Sequence, residues 1–187
     1  MIFGRGTTEM ISILIASFLI IMVGLIDDIK PISAKYQLLG QIVAALIIIL
    51  YGKITIDEVT ILGAHMVFPV PLNYLITLIF MVGIINAIDL SDGMDGLSSG
   101  ISIIYFLTII IIAAVVGGGK LGNIDTTIAI LMIGSLLGFL VYNFPPAKLY
   151  IGDSGSNFVG LMIATTALYG FKLATFTSLL IPLAILA

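Results

Sequence analysis

The stretch LNYLITLIFMVGIINAIDLSDGMDGLSSGISIIYFLTIIIIAAVV, residues 72–116, decides the fold. Two apolar runs, 72–88 and 98–116, flank a short polar segment that contains three aspartates. Each run is long enough to cross a bilayer core of about 30 Å, because an α-helix rises about 1.5 Å per residue. The stretch is therefore typical of two membrane-spanning helices joined by an acidic loop.

The composition of the whole chain agrees with a membrane protein. Of its 187 residues, 60% are hydrophobic and 9% are charged, whereas about a quarter of a soluble domain is charged. Seven basic residues and a formal charge of −3 provide no patch for neutralising phosphates, so we expect no nucleic-acid partner. The absence of cysteine excludes disulfides and thiolate metal sites.

The apolar runs predict an all-α polytopic membrane protein of about seven transmembrane helices, forming a single transmembrane domain over 1–187. The predicted helices are 9–26, 34–51, 72–88, 98–116, 124–142, 155–169 and 173–187. Segment 53–71 differs, because short β-branched runs alternate around a glycine. This pattern predicts a small extramembrane β-hairpin.

Numbering the loops by side places the loops after the first, third and fifth helices on one membrane face. Six of the ten acidic residues lie in these loops: Asp27, Asp28, Asp89, Asp92, Asp95 and Asp153. An aspartate at the centre of a membrane helix costs about 2.5–3.5 kcal/mol, so we expect these residues at the membrane boundary. His65 lies in the hairpin, on the other face, and receives no catalytic role. Lysine and arginine are divided almost evenly between the faces, so the positive-inside rule does not assign them.

The first acidic motif is the pair Asp27 and Asp28 at the end of the first helix. The helix dipole is negative there, so capping does not explain the two carboxylates. Lys35 is equally misplaced, because it lies just inside the second helix, near a dipole end that disfavours cations. These three side chains would suit one shared charged ligand, although a solvated pair at a helix end is the simpler alternative for the aspartates.

The second motif places Asn86, Asp89, Asp92 and Asp95 three residues apart, which keeps them near one helical face. Turn chemistry is the alternative for the last two, since Asp-Gly is a common turn dipeptide and Asp95 could cap the next helix. Turn chemistry does not explain Asn86 and Asp89. The spacing does not match an EF-hand, which requires acids two apart and a glutamate at position twelve of its loop.

The third motif runs from Asn143, through two prolines that end the fifth helix, to Gly152-Asp-Ser-Gly-Ser156. Small residues at a helix start let backbone N–H groups approach an anion. Asp153 supplies a hard oxygen ligand for a divalent ion, and its alternative role is an ordinary N-cap. Taken together, the three motifs predict a site for Mg²⁺, or Mn²⁺, and a phosphorylated substrate at the membrane surface.

The three motifs, in this order, resemble those of the polyprenyl-phosphate N-acetylhexosamine-1-phosphate transferases, glycosyltransferase family 4. The resemblance rests on GLIDD (24–28) with Lys35 and Gln41, on NAIDLSDGMDGL (86–97), and on NFPPAK (143–148) with GDSGS (152–156). It extends over nearly the whole chain, and PPAK is more similar to the N-acetylglucosaminyl branch than to the muramoyl-pentapeptide branch. The resemblance also implies that helices are missing at both ends of the chain.

The resemblance implies that polyprenyl (undecaprenyl) phosphate attacks the β-phosphorus of a UDP-N-acetylhexosamine, giving polyprenyl-diphospho-sugar and UMP. The reaction would begin cell-wall or surface-glycan synthesis, such as lipopolysaccharide or teichoic acid, on the cytoplasmic face of the plasma (inner) membrane. The hairpin would then be non-cytoplasmic, and the partners would be both substrates, membrane lipids and a second copy in a homodimer. The implied catalytic residues are Asp27, Asp28, Asp92 and Asp95; the metal ligands are Asp153 and Asp28; the substrate-binding residues are Lys35, Asn86, Asp89, Asn143, Gly152 and Ser156.

Three rival hypotheses remain. An intramembrane Mg²⁺-dependent prenyltransferase also uses aspartates, but the expected Asn-Asp-x-x-Asp motif is interrupted here by Ala87. A cation transporter would carry its acidic residues near the bilayer midplane in repeated halves, and no repeat is visible. The third alternative is an inactive fragment of a transferase.

Overall fold

The computed structural model describes residues 3–61, 64–116 and 123–171. The first half contains α1 (Phe3–Ile29), α2 (Ala34–Leu46), a π-helical turn (Ile47–Tyr51), β1 (Glu58–Ile61) and β2 (Ala64–Val67). The second half contains α3 (Val70–Ser91), α4 (Leu97–Val116), α5 (Ile124–Asn143) and α6 (Gly152–Phe171).

The described residues form six α-helices, and each corresponds to one of the first six predicted helices. Most observed boundaries lie within about three residues of the predicted ones, a normal error for helix ends. The exception is the start of α1, which begins at Phe3 rather than at residue 9. The seventh predicted helix, 173–187, lies outside the described residues, so the count of seven stays a prediction.

Five of these helices, α1 to α5, are long and apolar enough to cross a membrane when the π-helical turn is counted with α2. Large apolar side chains on them point outward, including Phe18 at 69% exposure and Leu131 at 65%. A belt of exposed apolar side chains would be unfavourable in water and is favourable in lipid. This is the architecture of an integral membrane protein.

The sixth helix, α6, is present but is not among the candidate spans, so its crossing of the membrane stays a prediction. It lies inside the bundle and packs against α1, α3, α4 and α5. From Ser156 to Leu168 nearly every side chain is buried. Its first two turns contain Asp153, Ser156 and Asn157, which lower its hydropathy and find hydrogen-bond partners within the protein.

Two short strands lie within the segment predicted as a hairpin. β1 and β2 pair antiparallel, with Glu58 opposite Val67 and Ile61 opposite Ala64. The segment before β1 is anchored by the buried side chains of Ile54 and Ile56. The hairpin lies between the end of α2 and the start of α3, and its predicted non-cytoplasmic location stays a prediction.

The helices alternate in direction, so that α1, α3 and α5 end where α2, α4 and α6 begin. We call this the acidic end of the bundle. Hydrogen bonds join its elements: Asp28 accepts from the backbone of α6, and Asn143 accepts from the backbone N–H of Gly96 at 3.0 Å. The predicted gathering of the six aspartates at one end is confirmed.

Candidate active site

Asp28 caps α6, which begins at Gly152 in a distant part of the chain. Its Oδ1 accepts a hydrogen bond from the backbone N–H of Asp153 at 2.8 Å, and its Oδ2 accepts one from the N–H of Ser154 at 3.2 Å. The carboxylate also meets the positive end of the α6 dipole, where an anion is favourable. The interpretation that capping does not explain this pair is therefore wrong for Asp28, because the helix that it caps is not its own.

Two glycines make this capping arrangement possible. Gly24 lets α1 approach α6 so closely that a Cβ there would lie 2.5 Å from the backbone nitrogen of Ser154. Gly152 has φ +67°, a conformation that other residues rarely adopt, and a Cβ there would lie 2.8 Å from Asp28 Oδ1. The predicted anion seat at the start of α6 thus exists, and the protein's own Asp28 carboxylate occupies it.

Asp27 and Asp153 form a carboxyl pair at the centre of the acidic end. Their side chains lie within hydrogen-bond distance of each other. Asp27 also accepts the backbone N–H of Ile32 at 2.6 Å. Asp153 lies outside the five candidate spans, and the contact with Asp27, followed by burial, raises its pKa to about 7. Two adjacent carboxylates repel each other unless a proton or a cation lies between them.

Gln37 holds the other side of Asp153. Its Nε2 donates a hydrogen bond to Asp153 Oδ2 at 2.8 Å. Sequence reasoning missed this residue, although an amide in an otherwise apolar stretch of α2 is a signal that could have identified it. Gln41, one turn later, was noted only as part of the motif, yet it is 1% exposed and bonded on both sides of its amide.

Asp89, predicted to bind substrate, is bonded to α6. Its Oδ1 accepts hydrogen bonds from Ser156 Oγ and from Asn157 Nδ2. Ser156, also predicted to bind substrate, is buried, and its hydroxyl donates the hydrogen bond to Asp89. Asn86 donates through Nδ2 to Gln41 Oε1 at 2.6 Å, so it too serves contacts between helices.

Three further predicted site residues bind the loops of the acidic end together. Asn143 is 3% exposed, accepts from Gly96 N–H through Oδ1, and donates to Leu149 O at 2.9 Å. Asp95 accepts the backbone N–H of Ala147 at 2.9 Å rather than capping α4. Asp92 accepts Ser98 Oγ at 2.6 Å, and burial raises the pKa of its carboxyl.

Lys35 makes no ion pair with the carboxylates in the part of the chain that the structure describes. It lies exposed at the start of α2, after Ser33, which occupies the N-cap position without a side-chain capping bond. Its ammonium is therefore available at the surface of the acidic end. His65 lies in β2, at the opposite end of the bundle.

A metal site can be tested against these contacts. Within residues 3–61, 64–116 and 123–171, no three acidic or imidazole side chains are arranged to hold a metal ion. The pair Asp27 and Asp153 nevertheless fits the way in which Mg²⁺ is held at phosphate sites, by one or two carboxylates with substrate phosphates and waters completing the shell. Asp28, predicted as a ligand, has both oxygens engaged by α6.

Comparison with known proteins identifies similar chains. The family model described as glycosyl transferase family 4 matches residues 10–171. A Bacillus subtilis protein named probable undecaprenyl-phosphate N-acetylglucosaminyl 1-phosphate transferase is 39% identical over 96% of this chain and 49% of its own length. The Staphylococcus carnosus phospho-N-acetylmuramoyl-pentapeptide-transferase is 34% identical over 79% of this chain and 49% of its own.

A third relative, the decaprenyl-phosphate N-acetylglucosaminephosphotransferase of Mycolicibacterium smegmatis, is 35% identical over 86% of this chain and 41% of its own length. The chain thus spans about half the length of these three relatives, or less.

Proposed function

The chain belongs to glycosyl transferase family 4, and from that premise we propose that it transfers N-acetylhexosamine 1-phosphate from a UDP-sugar to a polyprenyl phosphate. The sugar is GlcNAc and the acceptor undecaprenyl phosphate, as in the name of the Bacillus subtilis relative. UMP leaves, and the product begins a cell-wall or surface glycan on the cytoplasmic side of the plasma membrane.

The observation that carries the proposal is the Asp27–Asp153 carboxyl pair at the membrane boundary. Asp28 supports this pair by accepting a hydrogen bond from the backbone N–H of Asp153. Phosphoryl transfer requires the protein to position two phosphates and to neutralise charge more than it requires covalent chemistry. A bound Mg²⁺ would supply that neutralisation between the two carboxylates and the diphosphate. Two adjacent carboxylates are stable only if a cation or a proton lies between them, because their negative charges otherwise repel each other.

Three other residues of the chain position the metal-binding carboxylate and attract the substrate phosphate. Asp28 orients the first turn of α6, and with it Asp153, by binding two backbone N–H groups. Gln37 fixes the carboxylate of Asp153 from the opposite side. The exposed ammonium of Lys35 attracts a phosphate at the mouth of the site, where it is close enough to the water phase to meet both substrates.

Transfer of labelled sugar phosphate from UDP-GlcNAc to undecaprenyl phosphate tests the proposal, in membranes that contain the 187-residue chain. We expect a labelled lipid that forms only with Mg²⁺ or Mn²⁺. Asp153→Asn should lower its rate by about a hundredfold or more, the loss that follows when reacting groups are misplaced by about 1 Å.

Asp57→Asn is the matched control, because Asp57 is an exposed aspartate at the opposite end of the bundle. Its rate should remain within about twofold of the wild-type rate, since surface substitutions away from a site have small effects. An absence of labelled lipid, or equal loss in both variants at equal protein levels, would contradict the proposal.

A further inference from the structure

A chain of side-chain amides crosses the bundle one helical turn below the carboxyl pair. Asn86 of α3 donates to Gln41 of α2 at 2.6 Å, and Gln41 donates to Asn157 Oδ1 of α6 at 2.8 Å. Asn157 in turn donates through Nδ2 to Asp89 Oδ1 at 3.2 Å and to the backbone oxygen of Asp153 at 2.8 Å. We call these residues the amide relay; they are Asn86, Gln41, Asn157 and Asp89.

The direction of the relay is determined by its last member. Asp89 is a carboxylate that only accepts when ionised, so Asn157 must present its NH₂ group to it. Asn157 then presents its oxygen to Gln41, which must donate, and Gln41 must accept from Asn86. Every amide orientation therefore follows from the carboxylate of Asp89, and both Gln41 and Asn157 are 1% exposed, so water does not compete.

The relay and the carboxyl pair are mechanically connected through α2 and α6. Gln37 and Gln41 are four residues apart, on one face of α2, and contact Asp153 and Asn157, which are four residues apart on α6. The two amides thus hold the first two turns of α6 in one register against α2. Asp89 is attached to the same turns through Ser156 and Asn157.

We propose that Asn157 is a positioning residue, which sets the placement of Asp89 and of the first turn of α6 so that Asp153 and Asp27 can hold a divalent cation. The inference rests on the proposed function, since it concerns the carboxylates to which that proposal gives Mg²⁺. It assigns Asn157 no contact with substrate or metal. Its effect passes through Asp89 and through the backbone of Asp153.

Asn157→Asp separates positioning from stability. The substitution keeps an oxygen for Gln41 but replaces the donor that faces Asp89 by a second carboxylate. Asn73→Asp is the matched control, because buried Asn73 donates to Asp57 Oδ1 at 2.8 Å at the opposite end of the bundle. Both variants therefore place a carboxylate against an aspartate that had received an amide.

The readout is the Mg²⁺ concentration that gives half of the maximal thermal stabilisation of the purified 187-residue chain in detergent, without substrates. We expect both variants to melt lower, but only Asn157→Asp to raise the Mg²⁺ midpoint, by about tenfold or more, as for residues that orient metal ligands. In an Asp89→Asn background, Asn157→Asp should change the midpoint by less than about twofold, because the residue through which it acts no longer repels it.

An unchanged midpoint in Asn157→Asp would overturn the inference, as would an equal shift in Asn73→Asp or a full effect in the Asp89→Asn background. If the wild-type chain binds Mg²⁺ but makes no lipid product, the proposed transfer fails while the midpoints still decide the inference. If the wild-type chain shows no response to Mg²⁺, the inference and the metal site both fail, and the transfer assay alone then tests the reaction.

Discussion

Gly24→Ala is the substitution whose effect on stability and transfer the structure predicts most directly. A Cβ at Gly24 would lie 2.5 Å from the nitrogen of Ser154 and 2.7 Å from the carbonyl carbon of Asp153. These are backbone atoms, so no side chain can rotate away. Ordinary contact begins near 3.5 Å, so α1 and α6 must separate by about 1 Å.

That separation would break the cap of α6. The hydrogen bonds from Asp153 and Ser154 to Asp28 are 2.8 and 3.2 Å long, and a further 1 Å takes both beyond hydrogen-bond range. Overpacking of this kind costs about 1–3 kcal/mol. The lost cap adds about 1 kcal/mol. We therefore expect Gly24→Ala to lower the free energy of unfolding by about 2–4 kcal/mol and to reduce transfer strongly.

Thermal unfolding in detergent and the transfer assay measure the two effects. Gly83→Ala is the matched control, because Gly83 is helical and, apart from the backbone of its own helix, nothing lies within 4 Å of its Cβ position. Alanine has the higher helix propensity by up to about 1 kcal/mol, so this control should melt at the same temperature or higher. A Gly24→Ala protein that melts and transfers like wild type would refute the close approach of α1 to α6.

Two other predictions concern the acidic end. Asp28→Asn should melt slightly below wild type, because its amide oxygen replaces only one of the two carboxylate oxygens that accept N–H groups, whereas Asp28→Ala removes both bonds and should lower the free energy of unfolding by about 1 kcal/mol. Equal melting of the two variants would exclude the capping role. Single cysteines at Ser33, Ser91 and Ser154 should all react with a membrane-impermeant reagent from the same side of intact vesicles, and labelling from opposite sides would contradict the common acidic end.

The sequence predicted most of the helices because lipid imposes a length and an apolar composition on any segment that faces it. The same rule explains why α6 is not among the candidate spans. A helix enclosed by other helices can contain polar residues such as Ser156 and Asn157, since protein groups rather than lipid satisfy them. Hydropathy alone does not distinguish an enclosed helix from one at the lipid boundary.

The gathering of the aspartates was predictable from loop parity, but their individual tasks were not. Asp28 lies at the unfavourable end of its own helix, and only the tertiary fold shows that it faces the favourable end of α6. Asn143 was expected to bind substrate, yet it is buried with its amide engaged by Gly96, Ser99 and Leu149. Polar residues at the same end thus serve the site or the scaffold, and spacing along the chain does not distinguish the two roles.

The central claim is that the acidic end supports attack of a lipid phosphate on the β-phosphorus of a UDP-sugar. The most direct measurement uses UDP-GlcNAc with radioactive phosphorus at the β position, incubated with undecaprenyl phosphate and membranes that contain the chain. We predict that the label enters the lipid fraction while unlabelled UMP is released, and that Asp153→Asn prevents both. Label that remains in UDP while the sugar moves to the lipid would show that the sugar–phosphate bond is broken instead, and would contradict the account.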